Sequence, residues 1–104
     1  MSTIFKKIID KEIPANIVYE DNDFVAFRDI NPQAKVHILV IPKKEIANLN
    51  EASDEDALML GKLQILIAKI AKDEGIADDG YRVILNVNKD GGQEGFHIHY
   101  HILG

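Results

Sequence analysis

The last nine residues, Phe96-His-Ile-His-Tyr-His-Ile-Leu-Gly104, hold three of the chain's four histidines. His97, His99 and His101 alternate with Ile98, Tyr100 and Ile102. A strand sends successive side chains to opposite faces. Read as a strand, the stretch puts all three imidazoles on one face, roughly 7 Å apart per step of two residues, with an apolar, buried face behind them. Histidine is the side chain whose unperturbed pKa lies closest to neutral pH, so such a row offers a nucleophile, a proton donor or a set of metal ligands. Two histidines at i and i+2 can reach one zinc ion, with His37 as a further ligand. Periodicity leaves that zinc reading open beside the catalytic one. A set of surface imidazoles without a role is the least favoured, since exposed strand positions usually carry other polar types.

Catalysis also needs an element that holds a substrate. The loop before the histidines, Asp90-Gly-Gly-Gln-Glu-Gly95, has three glycines in six positions. Glycine lets main-chain N–H groups approach an anion closely and form a concave nest. A Gly-Gly pair by itself is most often a turn; beside three histidines it becomes a candidate phosphate cradle. His37 lies on a separate apolar run. A lone histidine there is more often a packing residue, and only the company of the other three makes it a candidate.

These groups must be carried by a small framework. Ile4, Phe5, Ile8 and Ile9 have helix spacing within Thr3–Asp10, and Ile13-Pro14 ends that segment. Strands are predicted at Ile17–Glu20, Phe24–Asp29, Val36–Ile41, Tyr81–Val87 and the histidine stretch, with turn chemistry at Asp21-Asn-Asp23 and a break at Asn31-Pro32. Pro42 is expected to stop the third strand. One long helix is predicted from Ser53, a good N-cap, to Glu74, with Gly75 as its stop. Leu58, Leu60, Leu63, Leu66, Ile67 and Ile70 give it a wide apolar face. Runs of strands with one inserted helix indicate an α+β fold with an antiparallel sheet rather than a doubly wound parallel one.

The 104 residues suit one domain spanning 1–104. The chain has no cysteine, which excludes disulfides and thiolate metal sites. Its net charge of −5, with scattered lysines, argues against a nucleic-acid surface but not against a single nucleotide. No stretch is long and apolar enough to span a membrane, and the N-terminus reads as mature sequence rather than a signal peptide. A cytoplasmic protein is the expectation.

His97-Ile-His-Tyr-His-Ile-Leu103 matches the histidine-triad motif, in which three histidines alternate with apolar residues. Ile4-Phe5, Ile13-Pro14, Phe27-Arg-Asp-Ile30 with Asn31-Pro32, His37-Ile-Leu-Val-Ile-Pro42, Asn86 and Gly91-Gly-Gln93 extend the match over essentially the whole chain. The sequence resembles the Hint branch of the histidine-triad (HIT) superfamily. The uridylyltransferase branch has Gln for the third histidine, and the DNA-repair branch carries further modules. The resemblance implies a HIT-like five-stranded antiparallel sheet continued across a homodimer. It implies a hydrolase of purine nucleoside phosphoramidates that releases nucleoside monophosphate and amine through a nucleotidyl-histidine, with no cofactor and no required metal.

Carried onto this chain, the resemblance makes His99 the nucleophile. His101 contacts the phosphate and helps protonate the leaving amine, the His97 carbonyl fixes the His99 ring, and His37 completes a hydrogen-bond relay. Asp29 binds the ribose hydroxyls. Ile4, Phe5, Ile8, Phe27 and Ile30 sandwich the base, although their own pattern equally suits simple core packing. Asn86, Gly92, Gln93 and Glu94 line the phosphate and leaving-group side. Three positions depart from the family. Glu45 replaces a common histidine, Gly95 replaces a larger apolar residue and is expected to loosen the loop, and relatives usually continue past Gly104 with a tail that shapes the leaving-group side. The alternative function is a nucleotide-binding or scaffold protein with vestigial activity.

Overall fold

The computed structural model describes residues 3–104. A short helix, α1 (Ile4–Ile9), opens the chain. Thr3 caps it, its Oγ1 accepting the Lys6 N–H at 3.1 Å. It ends before Pro14, where Lys11 adopts a left-handed backbone with φ 63°. Five strands follow: β1 (Ile17–Glu20), β2 (Phe24–Arg28), β3 (His37–Pro42), β4 (Arg82–Leu85) and β5 (Tyr100–Leu103). All pairings are antiparallel, in the order β1-β2-β3-β5-β4. The β1–β2 turn is held by Asp21, whose Oδ1 accepts the N–H groups of Asp23 and Phe24 at 2.7 and 2.8 Å.

The long helix, α2 (Ala57–Asp73), lies between β3 and β4 and is preceded by a 3-10 turn at Asp54–Asp56. Asp56 Oδ2 accepts the Ser53 N–H at 2.9 Å, and Oδ1 meets the Lys44 ammonium at 2.5 Å. That ammonium holds the Asp56 carboxyl below the usual carboxylate range. Gly75, at φ 76°, closes the helix. Its N–H bonds to the Lys72 carbonyl and that of Ile76 to the Ala71 carbonyl, a Schellman pattern that needs the left-handed residue.

The alternation of β3 divides the core. Ile38 and Val40 point to one face, where they meet Ile98, Tyr100, Ile102 and the α2 residues Leu63, Leu66, Ile67 and Ile70. Leu39 and Ile41 point to the other, where they pack with Val25, Phe27 and the α1 residues Phe5 and Ile8. The buried stripe of α2 is narrower than the sequence indicated. Leu58 is 72% exposed because it falls outside the i, i+3, i+4, i+7 row that Leu63, Leu66, Ile67 and Ile70 define.

Several strand bounds differ from expectation. β3 ends at Pro42, one residue past the predicted Ile41, and Pro42 itself pairs with Phe24. Lys43 donates its N–H to Asp23 on the β2 side. Alternation therefore turns the nitrogen of Pro42, which has no N–H to give, toward the β5 side. The ladder with β5 stops there for the same reason, so regular pairing begins only at Tyr100. His97 and His99 precede it in irregular backbone, anchored by the Ile98 N–H on the Ile46 carbonyl at 2.6 Å. β4 is also shorter than expected.

Leu63 has no exposed surface and Ile65, two residues on, is 61% exposed. Leu63→Ala is expected to lower unfolding free energy by about 2–5 kcal/mol and Ile65→Ala by no more than about 0.5 kcal/mol, as read by urea denaturation. Similar losses for the two would contradict this packing.

Candidate active site

The register of β3 with β5 places Leu39 opposite His101 and His37 opposite Leu103. His37 and His101 are thus diagonal neighbours on the α1 face of the sheet, and His37 Nε2 lies 3.0 Å from His101 Nδ1. His37 Nδ1 accepts the main-chain N–H of Gln33 at 3.0 Å. Asp29, just beyond β2, brings Oδ2 to 3.5 Å from His37 Nε2, while its Oδ1 accepts the Asn31 N–H at 2.8 Å.

The other two histidines are set by main-chain carbonyls. His99 Nδ1 is 2.8 Å from the His97 carbonyl. A carbonyl only accepts, so Nδ1 carries the proton and Nε2 keeps its lone pair. His97 is almost fully buried, and its Nε2 donates to the Pro42 carbonyl at 2.7 Å, while Nδ1 has no partner among the described residues. Phe5 covers this corner, its ring centroid 4.5 Å from that of His99 and 6.4 Å from that of His97.

A cleft of about 670 Å³ opens in front of His99 and His101. Ile4, Phe5, Ile8, Phe27, Asp29, Ile30, Asn86, Gly92 and Glu94 all line it. Phe5 and Ile8 are buried in the packing under the cleft, whereas Ile30 is 87% exposed at its rim. His37 and His97 sit behind the wall. Gln93 is also behind it, buried. Its Oε1 accepts from the Asn88 main chain and Asn48 Nδ2, and its Nε2 donates to the carbonyls of Ala47 and Gly95. Its side chain thus braces the glycine loop from behind the cleft.

The loop is not loosened at Gly95. A Cβ there would lie 2.9 Å from Phe5 Cε2, and the backbone has φ 77°. The Phe5 ring fills the space that a larger residue would take. The sequence reading also missed Arg28 and Leu39, which line the cleft, and Gln33. Leu39 was recoverable from its spacing of two from His37. The Gln33 contact is made by main chain and leaves no sequence signal.

Burial pushes the pKa of His97, His99 and His101 below the ordinary histidine value, and that of His101 down to about 4. Neighbouring His99 and His37 add to the effect at His101, and Asp29 opposes it. Among the described residues, Asp29, His37 and His101 have ligand atoms within 4.8 Å of one another. The hydrogen bonds disfavour a metal there. His37 Nδ1 is occupied as an acceptor, so in the neutral ring Nε2 is protonated and has no lone pair for an ion.

A model of the HIT domain matches residues 10–104. The chain belongs to the HIT family. It is 56% identical over 102 residues to a purine nucleoside phosphoramidase of Escherichia coli K12, a match covering 98% of this chain and 86% of the relative. A HIT family hydrolase of Legionella pneumophila superposes with a TM-score of 0.97 at 50% identity, over 99% of this chain and 92% of that one. A histidine triad protein of Clostridium difficile gives 0.94 at 48% identity, over 99% and 90%. The five-stranded sheet with its long and short helices is therefore the fold of this HIT protein.

The depressed histidines couple this site to acid stability. Below about pH 6.5 the unfolded chain binds protons that the folded HIT domain resists, so stability falls as pH drops toward about 4, the folded value of His101. The thermal midpoint is expected to decrease between pH 7 and pH 5, and His101→Gln to flatten that decrease. A midpoint unchanged over this range would contradict the neutral, buried histidines.

Proposed function

We propose that this HIT protein hydrolyses purine nucleoside phosphoramidates, with His99 as the nucleophile. The observation that carries the reading is the 2.8 Å contact of His99 Nδ1 with the His97 carbonyl. It commits the ring proton to one nitrogen and leaves Nε2 as a lone-pair donor at a cleft wall. The depressed pKa of His99 keeps that lone pair free at neutral pH. The name of the Escherichia coli relative, at 56% identity, supports a P–N bond as the target.

In this reading Phe5, Phe27, Ile4, Ile8 and Ile30 hold a flat purine, which offers more apolar surface than a pyrimidine. Asp29 accepts from the ribose hydroxyls. Asn86 and Gly92, which line the cleft, take the phosphoryl side, and the Asn86 side-chain amide donates to the charge that gathers at phosphorus. Glu94 faces the leaving-group side. His99 Nε2 attacks phosphorus, the P–N bond breaks, and the amine departs with a proton. Water then cleaves the bond between phosphorus and His99, giving the nucleoside monophosphate and restoring the imidazole. His101 hydrogen-bonds the departing group, and His97 acts only by positioning His99. No cofactor enters.

His99→Ala is expected to abolish AMP release from adenosine phosphoramidate, and a rapidly quenched wild-type reaction to show a nucleotide adduct on His99 by mass spectrometry. Near-wild-type turnover by His99→Ala would sink the mechanism. A wild-type protein that binds AMP without turnover would favour the scaffold alternative.

A homodimer belongs to the same proposal. β4 is an edge strand, Val83 on it is 46% exposed, and a second copy across a two-fold axis would continue the sheet. Light scattering is expected to report about twice the chain mass of 11.7 kDa; a monomer at micromolar concentration would refute it.

A further inference from the structure

The four histidines form two separately wired pairs. His97 and His99 are set by carbonyls. His37 and His101 contact each other, and the chain of contacts ends at a group that cannot change its role. The main-chain N–H of Gln33 only donates, and it points at His37 Nδ1 from 3.0 Å. His37 Nδ1 must therefore be a lone pair.

The consequence runs outward through the pair. A neutral His37 with Nδ1 as acceptor carries its proton on Nε2. Nε2 lies 3.0 Å from His101 Nδ1 and 3.5 Å from Asp29 Oδ2, so the shorter contact is to His101. A protonated His37 Nε2 makes His101 Nδ1 an acceptor as well. The proton of neutral His101 then sits on Nε2, the nitrogen left for the cleft that His101 lines.

We propose that the Gln33 amide is a tautomer lock: it makes His101 present an N–H to the cleft, and it makes His37 a positioning residue that cannot conduct a proton. To pass its Nε2 proton on to His101, His37 would need a replacement at Nδ1. The partner there is an amide N–H, which does not give its proton up near neutrality. A cationic His101 would need His37 Nε2 as an acceptor, which moves the His37 proton to Nδ1 and sets it against the Gln33 N–H. The lock therefore opposes the charged form of His101, in the same direction as its burial. The proton that the departing amine needs comes from the cleft side, on the substrate nitrogen or from water, and not through His37.

Gln33 lies on the segment between β2 and β3 that also carries Asp29. Asp29 N–H donates to the His37 carbonyl at 3.0 Å, and Gln33 Nε2 donates to the Asn31 carbonyl at 3.1 Å. The segment that offers the ribose carboxylate thus also fixes the proton on His101. The link to catalysis rests on the reading of this site as a phosphoramidase; the tautomers themselves do not.

Two measurements test the lock. Long-range proton–nitrogen NMR of the protein without substrate at pH 7 is expected to show neutral rings with the proton on Nε2 for both His37 and His101. A His101 proton on Nδ1, or a cationic His37, overturns the proposal whatever the enzyme hydrolyses. The second compares His37→Gln with His37→Leu. A glutamine amide offers an acceptor to the Gln33 N–H and a donor to His101 Nδ1, but cannot relay a proton. His37→Gln is expected to turn over about tenfold faster than His37→Leu, the equivalent of one hydrogen bond, and to keep the His101 proton on Nε2. Equal, severe losses in both variants, with the His101 tautomer intact in the Gln variant, would mean that His37 conducts protons and would overturn it. Loss of activity in wild type with the tautomers as expected would instead count against the phosphoramidase reading alone.

Discussion

The antiparallel pairing of β3 with β5, with Leu39 set against His101, is the constraint on which the site depends. It makes His37 and His101 diagonal neighbours on one face and sends Ile38, Val40, Tyr100 and Ile102 to the other, under α2. A slip of one residue would exchange the faces, burying an imidazole under the helix and exposing an isoleucine. The apolar residues between the histidines are therefore as necessary to the chemistry as the histidines are. They fix the register by being buried, and the register places the rings.

Proline gives this arrangement its second feature. Because Pro42 cannot donate to the ladder, β5 pairs only from Tyr100 onward, and His97 and His99 are released from strand geometry. The Pro42 carbonyl, freed of a strand partner, takes the His97 ring, and the His97 carbonyl takes the His99 ring. A strand end has become a pair of ring clamps. The Phe5 ring closes over them, and it can do so because Gly95 has no Cβ to meet it.

Burial then decides the electrostatics. Three imidazoles taken out of water and close to one another favour their neutral forms, and Asp29 only partly offsets this at His101. Neutral rings have one donor and one acceptor nitrogen each, so every main-chain group that touches one nitrogen dictates what the other does. Main-chain amides and carbonyls have roles that do not change with pH, which makes them dependable partners for groups whose roles do. The buried amides of Asn48 and Gln93 serve the glycine loop in the same way, with fixed donors and acceptors.

The sequence by itself determined the fold class and the order of its elements. These follow from local patterns: period-two alternation through the histidines, helix spacing with Ser53 and Gly75 at the ends, and turn residues between strands. It also pointed to the family, because the triad motif is specific. The tertiary structure alone decided which nitrogen of each ring holds the proton, since that is set by the carbonyls of Pro42 and His97 and the N–H of Gln33, groups that every residue type offers. It decided that Gln93 braces the loop from behind, that Leu58 lies in solvent, and that Phe5 rather than a larger residue at 95 fills the space over the rings. Side-chain patterns are written in the sequence; main-chain partners are not, because their identity depends only on which segments the fold brings together.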